Sequence, residues 1–217
     1  MNKLIAFLAI PLLLVVILGS ALAMWYDTLK IKTTISTGDV DVEFSERTGQ
    51  SIHITEVGQG NEYGKPWVAN CSASLDQIEN EDLGNPYGNN DYELNITIVN
   101  GYPCFGCKVE NLNVYNSGTI PVKFKIVSVT AGLLGGTMYS CTKVLEASTT
   151  YYKCDVNNDT KDDIHVWGCF TSLEGQQLDP GNWTSLTFET HIKQGAPENS
   201  TIIVQIKIRA IQWNEYS

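Results

Sequence analysis

After residue 28 the chain alternates apolar and polar positions with a period of two, the signature of strands that bury one face. Leu29, Ile31, Thr33 and Ile35 share one face, with Lys30, Lys32 and Thr34 between them. A turn at 36–39 follows, and Val40, Val42 and Phe44 then alternate with Asp41 and Glu43. Ile52, Ile54 and Val57 outline a short third strand. The stretch 58–90 is rich in Gly and Asn and reads as a long excursion with little regular structure. The clearest strand carries Tyr92, Leu94, Ile96 and Ile98 on one face. Another covers 107–115, where the alternation slips between Val109 and Leu112 and predicts a bulge. Val122, Phe124 and Ile126 resume the pattern, and two C-terminal strands carry Leu186, Phe188, Thr190 and Ile192, then Ile202, Val204, Ile206 and Ile208. No segment beyond the N-terminus has helical periodicity. The pattern predicts an all-β fold, an antiparallel sandwich with one core spanning 24–217. Residues 128–182 alternate poorly and are expected as an insertion decorating it.

The first 23 residues read differently. Lys3 precedes an apolar run from Leu4 to Leu18, and Ala21-Leu22-Ala23 forms an A-x-A cleavage pattern. Segment 1–23 is therefore a signal peptide or a retained anchor. As a helix, Leu4 to Trp25 would reach about 33 Å, enough to cross a bilayer. Either reading puts the rest of the chain outside the cytosol. Two features agree with export to the cell surface. The six cysteines Cys71, Cys104, Cys107, Cys141, Cys154 and Cys169 all follow the apolar run, an even number suited to disulfides. N-x-S/T sequons start at Asn70, Asn95, Asn158, Asn182 and Asn199, which makes the chain a candidate glycoprotein. Were all six cysteines paired, an odd number of bridges would staple the insertion to the main body, because each part holds half of them.

The formal charge is −10, with Asp and Glu spread along the chain. A dispersed acidic surface argues against nucleic-acid binding, which needs clustered Lys and Arg, and leaves room for divalent cations. Asp155, Asn157, Asp159 and Asp163 place side-chain oxygens at positions 1, 3, 5 and 9 of a calcium-type loop. Thr160 stands where such loops carry Gly, and Val166 where a bidentate Glu closes the site. The same residues also make an acidic hairpin tip between Cys154 and Cys169, so a structural calcium and a solvated loop are both open.

Other chemistry is poorly supported. Cys104-Phe-Gly-Cys107 is a C-x-x-C, but a strand follows it rather than a helix, and no second pair or spaced histidines complete a zinc site. The histidines His53, His165 and His191 form no metalloprotease motif, and no nucleophile elbow or phosphate loop occurs. No catalytic residue and no organic cofactor are assigned, and the chain reads as a non-enzyme. Trp25, Tyr26, Trp67, Tyr151, Tyr152, Trp167, Trp183 and Trp213 are candidates for stacking on sugars, although large aromatics more often fill sandwich cores.

Small residues leading into Trp25-Tyr-Asp27, the run from Thr34 to Phe44, Asn100-Gly-Tyr-Pro103, the run from Val114 to Val122 and the terminal Ile211-Gln-Trp-Asn-Glu-Tyr216 resemble the TasA/camelysin-like surface proteins, especially their archaeal members. The resemblance covers about 20–57, 92–127 and 183–217. It implies a jelly-roll domain in biofilm fibres or bundling pili, in which the segment after the signal leaves its own domain and completes the sheet of the next subunit. Trp25, Leu29, Ile31, Thr33 and Ile35 would then be the donor strand, and other copies of the chain the partners. The 128–182 stretch and the six cysteines depart from that pattern, and the zinc motif of a metalloprotease is absent. The expected function is a structural fibre or pilus subunit. The alternative is a monomeric, membrane-anchored binding module for glycans or a surface layer, touching the membrane only through the N-terminal segment.

Overall fold

The computed structural model describes Leu14, Val40, 42–44, 52–57, 68–78, 91–214 and Tyr216. The targeting segment, Ala21, Ala23, and the donor-strand candidates Trp25, Leu29, Ile31, Thr33 and Ile35 lie outside the described residues, as do Tyr26 and Trp67. The chain divides into Met1–Thr37 and Gly38–Ser217, and only the second is described below. Among the described residues no helix is long and apolar enough to cross a membrane.

Among the described residues, thirteen strands form two antiparallel sheets. The seven-stranded sheet contains β1 (Val42–Phe44), β2 (His53–Val57), β5 (Gly106–Asn116), β8 (Thr142–Glu146), β9 (Thr149–Cys154), β10 (Ile164–Gly168) and β12 (Trp183–Ile192). Its order is β1-β5-β12-β10-β9-β8, and β2 joins β1 on the same side of β5. The six-stranded sheet contains β3 (Asn70–Ile78), β4 (Asp91–Val99), β6 (Val122–Leu133), β7 (Met138–Ser140), β11 (Gln177–Leu178) and β13 (Thr201–Gln212). There β11-β6-β13-β4-β3 run in order and β7 pairs with β6.

The alternation explains the core directly. Leu94, Ile96 and Ile98 of β4, Ile202, Val204, Ile206 and Ile208 of β13, and Val109, Leu186, Phe188 and Ile192 from the other sheet belong to one buried cluster. The intervening residues face outward. Burying each large aliphatic or aromatic side chain contributes about 1.5–3 kcal/mol. The result is an all-β, sandwich-like fold. The bulge expected in β5 is present: the β12–β5 register shifts between Leu186 and Phe188, opposite Leu112 and Val109, and Asn111 takes a φ of +62°.

Two stretches differ from their sequence reading. The 58–90 excursion contains β3, a nine-residue edge strand. Its inward positions are Cys71, Ala73 and Leu75, two of them small, so its alternation carries little hydrophobic contrast. The stretch 128–182, expected as an insertion, is built into both sheets. A register shift beside Ile126 and Ser128 flips the buried phase of β6, so Val129 and Ala131 follow Val122 and Phe124 into the core. In β9, Tyr151 and Tyr152 are both buried although they face opposite ways, which erases any alternation. The short helix α1 (Phe170–Leu173) tucks Phe170 and Leu173 inward after Gly168, where φ is +152° and a Cβ would sit 2.5 Å from the Thr187 carbonyl oxygen.

Four of the six cysteines are bridged. Cys71–Cys107 joins β3 to β5 and so ties the two sheets together, with Cα atoms 6.0 Å apart. Cys141–Cys154 closes a local loop ending at β9, with Cα atoms 4.4 Å apart. Cys104 and Cys169 are free. Neither bridge joins the 128–182 stretch to the rest; strand pairing of β10 with β12 and of β6 with β13 does that instead. The two free cysteines lie against different parts of β12: the Cys104 amide donates to the Ile192 carbonyl, that of Cys169 to the Thr187 carbonyl.

Candidate functional site

β3 closes one side of its sheet. It pairs with β4 along its whole length and, among the described residues, with no other strand. The burial of the inward row falls off towards this edge. Leu94, Ile96 and Ile98 on β4 are fully buried, whereas Ala73 and Leu75 on β3 remain partly exposed. Beside β3 lies β2, at the edge of the other sheet. An open groove of about 570 Å³ runs between them, lined by His53, Ile54, Thr55, Glu56, Asn70 and Cys71. The Glu56 carboxylate crosses this seam and accepts the Cys71 backbone amide at 2.8 Å. An unpaired strand edge is a template for another strand, and a carboxylate on one of its amides blunts it at one end. Sequence reasoning missed this edge because it placed no strand in 58–90.

The acidic loop joins β9 to β10, and the structure brings the predicted residues together. One carboxylate oxygen from each of Asp155, Asp159 and Asp163 lies within 4.8 Å of the other two. Asp155 Oδ1 accepts the amides of Asn157 and Asp159, and its Oδ2 accepts that of Thr160 at 2.6 Å. Asn157 Oδ1 accepts the Asp159 amide at 3.0 Å. Partial burial acts against ionisation of Asp155, but these amides hold its carboxyl below the usual range. Asp163 is different. It is 0% exposed, its Oδ2 accepts the Val156 amide at 2.9 Å, and its Oδ1 has no hydrogen-bond partner. Burial pushes the Asp163 carboxyl up, and the nearby Asp159 and Asp155 charges push it the same way.

A third arrangement lies on the outer face of the seven-stranded sheet. Tyr151, His165, Trp167 and His191 form a continuous row of rings, with centroids 5.4 Å apart for Tyr151–His165, 5.8 Å for Tyr151–Trp167 and 6.0 Å for Trp167–His191. Burial holds both His165 and His191 below the ordinary histidine range, and the Lys193 charge adds to it. The clue was in the sequence, since each histidine sits between two apolar or β-branched residues and so points outward. Of the other aromatic candidates, Tyr152 is buried against Phe170, while Trp183 is 66% exposed and Trp213 is also exposed. The sequon residues Asn70, Asn158, Asn182 and Asn199 are exposed, and Asn95 lies mid-sheet between Ser74 and Gln205, partly buried.

Together these features define a disulfide-bonded, two-sheet all-β domain suited to an oxidising compartment. Comparison with family models, with curated proteins and with solved structures finds no match for this chain.

Proposed function

We propose that this chain is a non-catalytic structural subunit of an extracellular fibre or pilus, exported through segment 1–23 and assembled head to tail by β-strand addition. The observation that carries this reading is the edge of the nine-residue β3, which among the described residues pairs with β4 alone, with the partly covered Ala73 and Leu75 beneath it and the groove beside it. An incoming strand gains backbone hydrogen bonds from such an edge and specificity from alternate side chains. Trp25 to Ser36 has the required pattern, with Leu29, Ile31, Thr33 and Ile35 on one face to cover the inward row. The likeness of several short motifs to TasA/camelysin-like proteins supports the same reading. A donor from one copy entering an acceptor on the next makes a contact that does not close, and the product is a filament.

A second reading is favoured by the exposed Trp183 and Trp213 and by the outer ring row: a monomeric, anchored module that stacks glycans or a surface layer. Intact mass and N-terminal sequencing of native protein, with negative-stain microscopy, separate the two. A mature start at Met24 with long fibres supports the fibre subunit. An intact Met1 in membrane-bound, unpolymerised protein overturns it and leaves the anchored module.

A further inference from the structure

We infer that the β9–β10 loop is a calcium site, with Asp155, Asn157, Asp159 and Asp163 as side-chain ligands and a structural role in locking the hairpin. The sequence pattern alone does not carry this, because acidic loop tips are common. The buried Asp163 does. A carboxylate withdrawn from water needs each oxygen satisfied, and unpaired burial is strongly unfavourable. Asp163 has one oxygen on the Val156 amide and the other without a partner, yet it is fully enclosed beside two more carboxylates. The loop's own cation, Lys161, places its ammonium 3.7 Å from Asp159 Oδ2 and is largely exposed. A bound divalent ion would supply what the protein leaves missing.

The dimensions suit calcium. Calcium–oxygen distances of about 2.3–2.6 Å put ligands on opposite sides of the ion about 4.6–5.2 Å apart. The three carboxylate oxygens fall within 4.8 Å of one another. The donors are all oxygens, which disfavours zinc, and they come from a loop rather than a rigid octahedral cage, which disfavours magnesium. Loops of this kind add a backbone carbonyl at position 7, which is Lys161 here. Thr160 stands where Gly is usual, but it adopts the left-handed conformation regardless, with φ +74°, as does Asn158 at +61°. The ion would join the end of β9, just past the Cys141–Cys154 bridge, to the start of β10. It is independent of the assembly reading and holds for a fibre subunit or a monomer.

The test uses the full chain, stripped with chelator and titrated with calcium chloride alone by calorimetry, with thermal unfolding in parallel. A single saturating heat is expected, and at a hundredfold excess over Kd a rise in Tm of about 5–11 °C. Asp163→Asn, which keeps an oxygen for the Val156 amide, should weaken binding at least about tenfold. Asp159→Asn, at an exposed position, gives the same readout should Asp163→Asn fail to fold. Asp162→Asn, the neighbouring carboxylate outside the cluster, should bind as the parent does. No heat and no Tm shift up to about 10 mM calcium, above the range of extracellular calcium modules, would overturn the site. So would an equal response to magnesium, or undiminished binding by both Asp163→Asn and Asp159→Asn.

Discussion

Replacing Asn116 with Ala should destabilise this protein more than almost any other polar substitution outside the acidic loop. Asn116 ends β5 and is 0% exposed. Its side-chain amide donates to the Ile120 and Leu178 carbonyls, both at 2.9 Å, and its Oδ1 accepts the Gly118 amide at 3.0 Å. It thus shapes the 116–121 turn and fastens the end of one sheet to β11 in the other. A buried hydrogen bond contributes about 1 kcal/mol net, so losing all of them costs about 3 kcal/mol. For a chain of this size that is a fall in Tm of about 6–12 °C. Asn116→Asp is the sharper variant. It retains the acceptor for Gly118, loses both donors and turns a charge towards two carbonyls. Its loss should exceed that of Ala at neutral pH and shrink as pH falls through the carboxylate range, where the protonated acid can donate again. Calorimetric melting of the disulfide-intact protein reads both. An Ala variant melting within about 2 °C of the parent would refute the reasoning, as would an Asp variant no worse than Ala at pH 7.

Removing the Cys71–Cys107 bridge by paired Ala substitutions should cost about 4 kcal/mol, and removing Cys141–Cys154 about 3 kcal/mol, because the closed loops span 36 and 13 residues. Denaturant unfolding of the two variants checks both size and order. Thr160→Gly should raise stability by about 0.5–1 kcal/mol by relieving a positive φ, and should tighten calcium binding in the same titration. His165 and His191 have lowered values when folded, so the unfolded chain binds protons more readily. Their contribution is complete above the ordinary value of 6.5 and is lost as pH falls through it towards the lowered ones. Melting between pH 7.5 and 5.5 should show Tm falling with pH, and His191→Phe should flatten that slope.

Much of the fold was legible because its central strands bury one face and wet the other. β4, β12 and β13 alternate cleanly, and even the β5 bulge shows as a phase slip between Val109 and Leu112. Legibility failed where the physics hides the period. β3 faces inward with Cys71 and Ala73, which are too small to mark a strand. β9 buries Tyr151 and Tyr152 on opposite faces, and β6 changes phase halfway along. The acidic loop was legible as a pattern of oxygens, but what separates it from a solvated tip, the enclosure of Asp163, depends on the turn at 193–196: the Lys193 amide donates to the Asp163 carbonyl at 2.8 Å. Asn116-Ser-Gly118 reads as a turn in the sequence, but nothing there marks the Asn116 side chain as a buried anchor. Its role rests on a contact with Leu178, 62 residues away in sequence. The β3 edge and the seam beside it could not be read before β3 itself was placed.

The central claim is that the N-terminal strand of one copy lies along β3 of the next. Two batches of the chain, distinguishable by isotope label, carry Ile31→Cys in one and Leu75→Cys in the other, with the free Cys104 and Cys169 replaced by Ser in both. After mixed assembly and mild oxidation, mass spectrometry locates the new bond. The account predicts a disulfide joining position 31 of one copy to position 75 of another, formed in fibres and abolished by Leu29→Asp in the donor. Fibres that form without that bond, or a chain that never assembles with its mature N-terminus exposed, would contradict it.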